Sequence, residues 1–131
     1  MKKLLETALA FAAMTSFANA QSYICDISSQ GDGFIPEQLG MNLDKPRKSA
    51  VVFDAYINWG EGQPISARMR NQQDGKLELR WNLNLPTSPI RARVNYRVVF
   101  DEAAKTMVMY GNIRSATNRL AGTGTCVLGD F

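Results

Sequence analysis

Lys76-Leu77-Glu78-Leu79-Arg80-Trp81-Asn82-Leu83 alternates without a break, with leucines and a tryptophan at the odd positions and charged or amide side chains at the even ones. Successive side chains of a strand point to opposite faces, so this period of two predicts a strand with one face buried and the other in water. Residues 91–100 repeat the pattern, setting Ala92, Val94, Tyr96, Val98 and Phe100 against Arg91, Arg93, Asn95 and Arg97. Outward from these two, residues 49–57, 64–70, 106–112 and 120–128 are rich in β-branched, aromatic or alternating side chains, and residues 22–28 supply a first strand. The links suit antiparallel neighbours: residues 71–75 are short and end in Asp74-Gly75, and residues 101–105 are short and polar. Pro86 and Pro89 interrupt the chain between the two clearest strands, and Gly60, Gly62 and Pro64 mark an earlier loop. The longest irregular stretch is 29–48, within which Ile35-Pro36-Glu37-Gln38-Leu39 suits a single helical turn.

These strands predict an all-β fold, a small antiparallel β-barrel or sandwich of about 7–8 strands, with the barrel favoured. Cys25 and Cys126 stand near opposite ends of the chain and are its only cysteines. A disulfide between them would join the first strand to the last and close the sheet. In the chain-entropy treatment, closing a loop of about 100 residues is worth roughly 4.7 kcal/mol. Leu120, Gly122, Gly124 and Cys126 share one strand face, where the glycines either make room for a bulky partner such as Trp81 or mark a bulge.

Residues 1–20 have the pattern of a cleavable signal: Lys2 and Lys3, a short apolar run through Phe17, then Ala18-Asn19-Ala20 as an A-x-A cleavage site. The apolar run is too short to span a bilayer. Residues 21–131 then form a single β domain in a periplasmic or secreted, oxidising compartment.

Composition removes much chemistry. The 131 residues include no histidine, which excludes Ser-His-Asp and Cys-His catalysis and histidine-ligated zinc. Two cysteines are too few for a thiolate-only zinc site or a four-cysteine iron–sulfur cluster. No glycine-rich phosphate loop, G-x-S-x-G or EF-hand spacing is present, so no cofactor or metal is expected. Carboxylates remain, with Asp32, Glu37, Asp54, Glu61 and Glu78 as candidates for a glycosidase-like pair, though no feature selects two of them. Asp54 falls in the run Val51-Val52-Phe53-Asp54-Ala55-Tyr56, where alternation with Phe53 and Ala55 places it on the outer face, paired to an arginine.

Charge is unevenly distributed. Between residues 66 and 97 stand Arg68, Arg70, Lys76, Arg80, Arg91, Arg93 and Arg97 against only Asp74 and Glu78, while anions outnumber cations from 21 to 65. On neighbouring strands these cations would form a basic stripe, with Arg91, Arg93, Arg97 and Arg80 as candidate binding residues. A solvated strand face, its arginines paired to Glu78 and the acidic segment, is the plainer alternative. Trp59 is either an exposed binding anchor or a cap folded over one barrel end. Val52, Tyr56, Val108, Tyr110 and Val127 fall on the outer parity of their strands, which would make part of the outside apolar.

At Tyr23-Ile24-Cys25 the chain resembles the Tyr-x-Cys opening of small exported bacterial β-barrel proteins, among them the C-type lysozyme inhibitors. The resemblance extends to size and to a disulfide reaching the C-terminal region. The Ser-Gly-x-x-Tyr loop of those inhibitors is absent, so no inhibitory residue carries over.

The sequence therefore reads as an exported, non-enzymatic binding module of the bacterial cell envelope. Its expected partner is an envelope protein or an anionic envelope polymer, with no nucleic acid and no membrane span. A lipocalin-like carrier of a small apolar ligand is the first alternative and a carboxylate-based hydrolase the second.

Overall fold

The computed structural model describes residues 20–29, 34–113 and 119–131. The predicted signal lies outside these residues except for Ala20, and so does Asp32. Eight strands follow one another around a closed antiparallel barrel: β1 (Ala20–Ser29), β2 (Gln38–Asp44), β3 (Ser49–Phe53), β4 (Ile65–Asn71), β5 (Leu77–Leu85), β6 (Ala92–Asp101), β7 (Thr106–Ile113) and β8 (Arg119–Leu128). A short helix, α1 (Ala55–Glu61), joins β3 to β4.

The alternation in residues 76–83 decides this arrangement as expected. Leu77, Leu79, Trp81, Leu83 and Leu85 of β5 face inward, and so do Val94, Tyr96, Val98 and Phe100 of β6, all of them buried. They join side chains from the other six strands in one apolar cluster that fills the barrel. Trp81 stacks on Tyr96 with ring centroids 5.4 Å apart, and Tyr23 meets the ring of Phe100 edge-on at 4.9 Å. The Tyr96 hydroxyl donates to the Phe34 carbonyl at 2.6 Å, which ties the first long connection to the core.

Closure is covalent as well as hydrogen-bonded. Cys25 and Cys126 stand directly opposite each other in the β1–β8 register and form the disulfide inside the barrel. Gly122 and Gly124 face inward close to this seam. A Cβ at Gly122 would lie 2.8 Å from Ile27 and 2.9 Å from Ile35, and one at Gly124 would lie 2.7 Å from the Asp26 carbonyl. The glycines thus admit Ile27, Ile35 and Met107 rather than Trp81, whose partner is Tyr96.

The first half of the chain departs from the predicted elements at four points. Residues 38–44 form a strand instead of part of an irregular stretch, because Leu39, Met41 and Leu43 alternate with polar or small residues and bury themselves completely. No helical turn forms at 35–39, where Gln38 already begins β2. The strand predicted over 49–57 stops at Phe53, because the Asp54 carboxylate accepts the Ile57 amide at 2.8 Å and starts α1. Gly62, at φ 73°, ends that helix in the left-handed conformation that favours glycine. With the strand shortened, its parity also reverses: Ala50 and Val52 are the inward pair, while Val51 is exposed and Tyr56 belongs to the helix.

The barrel ends differ. One carries the tight links 45–48, 72–76 and 102–105, and the other, the long-connection end, carries α1 and residues 86–91 among the described residues. Ile57 is fully buried, and Gly60 packs against Asn84 and Leu85 at the end of β5. The helix thus covers part of that end.

Candidate binding face

Antiparallel register sorts the outward residues of β4 to β7 into rows that run across the strands. Arg68 stands opposite Arg80, Arg80 opposite Arg97, and Arg97 opposite Tyr110. One step towards the long-connection end, Asn82 stands opposite Asn95, and Asn95 opposite Asn112. One step the other way, Glu78 lies between Arg70 and Val99. Three guanidinium groups thus share a row, flanked by a row of carboxamides on one side and a single carboxylate on the other.

Glu78 organises the cations. Although its position points outward, it is only 3% exposed, because Arg80, Arg97 and Gln72 converge on it. Arg97 donates from Nε to Oε2 at 2.6 Å, Arg80 from Nε to Oε1 at 2.8 Å, and Gln72 from Nε2 to Oε2 at 2.8 Å. Burial by itself would raise the Glu78 pKa, but the hydrogen bonds and charges of Arg97 and Arg80 outweigh it and hold the carboxyl below its ordinary value. Arg80 reaches Glu78 through Nε and also, at 3.5 Å, through a terminal nitrogen, Arg97 reaches it through Nε, and both arginine side chains stay partly exposed, so N–H donors are left for a ligand. The Arg97 guanidinium also lies 5.5 Å from the centre of the Tyr110 ring. Among the described residues Arg68 makes no ion pair. The rows line a shallow depression of about 560 Å³.

Of the predicted site residues, the structure brings Arg80 and Arg97 together and separates the rest. Arg93 is on the outer side of β6 but opposite Asn84, beyond the asparagine row. Arg91 precedes β6, so it does not continue the arginine side of that strand. Trp59 lies on α1, 49% exposed, in a helix where the sequence suggested a loop. Arg68, Tyr110 and the three asparagines were not among the candidates. Asn82 and Asn95 had been placed on outer positions, but their alignment with Asn112 depends on strand register, which the period-two pattern does not carry.

The carboxylates do not form a predicted pair. Asp54 is not an outer-face residue paired to arginine: it is 4% exposed, caps α1, and has no cation partner among the described residues. Its Oδ2 is buried without a hydrogen bond. Burial raises its pKa to about 6, against the opposing pull of the Ile57 and Tyr56 amides. Glu78, by contrast, is on the outer face of β5. Among the described residues no cluster of three or more metal-ligating side chains occurs. Compared with known protein families, curated proteins and solved structures, the chain matches none.

Proposed function

We propose that this chain is an exported, non-catalytic binding module whose working surface is the outer face of β4 to β7, and that it takes an anionic component of the cell envelope. The observation that carries the reading is the row Arg68, Arg80 and Arg97, two of whose members are held in place by one buried carboxylate. Fixing the guanidinium groups before a ligand arrives reduces the ordering cost of binding, and planar forks suit carboxylate and phosphate oxygens. Export is supported by the residue 1–20 pattern and by the disulfide. No helix among the described residues is long and apolar enough to cross a membrane. Arginines and asparagines facing outward from β4 to β7 also differ from the apolar band that a lipid-facing barrel presents.

The filled interior favours this surface over a carrier cavity, since Leu39, Tyr96, Phe100 and Met109 occupy the space a small apolar ligand would need. To test the reading, the oxidised protein would be titrated onto an immobilised polyanion at rising salt. Arg80→Gln/Arg97→Gln should lose at least tenfold in affinity and flatten the salt dependence, while Arg91→Gln/Arg93→Gln changes little. Equal losses from both double variants would remove the arginine row as the working surface.

A further inference from the structure

The asparagine row gives the face a second recognition element, and we infer from it that the anionic ligand is an acidic glycan, a saccharide carrying carboxylate groups. This inference rests on the proposed role of the arginine row and goes beyond it by naming the ligand class. Neighbouring strands lie about 4.8 Å apart, and positions two residues apart along a strand are about 7 Å apart. Asn82, Asn95 and Asn112 therefore form a line of carboxamides across three strands, running beside the line of Arg68, Arg80 and Arg97. Asn82, Asn95 and Asn112 are all exposed, and none is engaged in an ion pair or a side-chain hydrogen bond among the described residues.

Charge alone would be served by the arginines. Each carboxamide offers two N–H donors and a carbonyl acceptor, while each sugar hydroxyl both donates and accepts, so the two groups satisfy each other in several orientations. An extended polyhydroxylated acid lying across the strands can set carboxylates on the guanidinium row and hydroxyls on the amide row at once. An acidic peptide fits less well. Extended peptides gain affinity chiefly by adding their main chain to an open sheet edge, and β1 pairs with both β2 and β8, which leaves the barrel without one. The depression is shallow and polar-walled, which does not suit an apolar ligand.

The test uses the whole oxidised protein and three probes: an oligogalacturonate, its methyl-esterified neutral form, and polyglutamate of matched charge. The expected result is tight binding to the oligogalacturonate alone. Asn82→Ala/Asn95→Ala/Asn112→Ala should weaken that binding about tenfold or more without flattening its salt dependence. Arg80→Gln/Arg97→Gln should weaken it and flatten the salt dependence as well. Unchanged melting of the triple variant would establish that it is folded. If polyglutamate binds as well as the oligogalacturonate and the triple variant binds both like wild type, the glycan is overturned while the arginine surface survives. If neither acid binds, both readings fall. Equal binding of the esterified probe would overturn the need for carboxylates.

Discussion

Asp54 and Glu78 are almost equally hidden from solvent, yet their surroundings move their acidities in opposite directions. Asp54 lies beneath the long-connection end, where it caps a short helix and has amide donors but, among the described residues, no cation. Glu78 lies on the outer wall, where two arginines cover it and supply its partners. Loss of solvent contact alone therefore does not determine whether a carboxylate is ionised. Asp54 lies deeper and its lost water is offset only by amides, whereas at Glu78 a shallower burial is outweighed by two arginines. Asp54 serves chain geometry at the cost of an ionisation penalty, and Glu78 uses its charge to position the arginines of the candidate face.

The comparison is sharpest in its pH dependence, where the Asp54 effect should be the larger. Its pKa is raised from 3.8 to about 6, so the folded state holds the proton more tightly than the unfolded one. Stability from this group is full below the unfolded pKa and is lost as pH rises through the folded value. That rise corresponds to about 3 kcal/mol. Asp54→Asn keeps an oxygen for the Ile57 amide but cannot ionise. Urea unfolding from pH 4 to 8 should show the variant matching wild type at the acid end and exceeding it by about 2–3 kcal/mol at pH 8. A constant difference across the range would mean that Asp54 is not the titrating group.

Glu78 should give the opposite sign and a smaller effect. Its pKa is lowered in the folded state, so its stabilisation is present above the unfolded carboxylate value and is lost as pH falls through the folded one. Glu78→Gln should cost about 1–2 kcal/mol at neutral pH, a modest loss because Arg80 and Arg97 are themselves partly exposed and regain water. The variant should also lack the acid-limb sensitivity expected of wild type as pH falls below the ordinary carboxylate range. Retention of that limb would place the acid sensitivity elsewhere. Smaller again, replacing Asp54 with alanine instead of asparagine removes the cap itself, and the two variants should differ by about 1 kcal/mol at any pH.

How much of this contrast was legible in the sequence follows from the kind of signal each residue carries. The barrel could be read from β5 and β6 because a half-buried strand writes its geometry directly into alternation. The disulfide followed from the placement of Cys25 and Cys126. Asp54 was misread because Val51-Val52-Phe53 extends a strand pattern up to it. Yet Asp54 and Gly62 bracket seven residues as a helix start and stop, a signal that was available and was outweighed by the neighbouring apolar run. β2 was passed over because Gly40 and Pro36 suggest a loop more loudly than three alternating apolar residues suggest a strand. The site was legible only in part. Glu78 was foreseen as an arginine partner, whereas the asparagine row and the opposition of Arg97 to Tyr110 depend on pairing register, which links residues far apart in the chain.

The last prediction concerns how far Glu78 alone holds Arg97 in place. The guanidinium lies between the carboxylate and the Tyr110 ring, 5.5 Å from the ring centre. A half-exposed cation over an aromatic face contributes about 0.5 kcal/mol, well below a charge-assisted hydrogen bond. Tyr110→Leu should therefore destabilise the protein slightly. In a double-mutant cycle with Arg97→Gln, the coupling to Tyr110 should be smaller than the coupling of Arg97 to Glu78 measured in the same way. If the Tyr110 coupling proves the larger, the ring rather than the carboxylate orients Arg97, and the contrast between the two buried acids loses its functional half. If the order is as expected, Glu78 sets the direction of the guanidinium and Tyr110 only limits its swing.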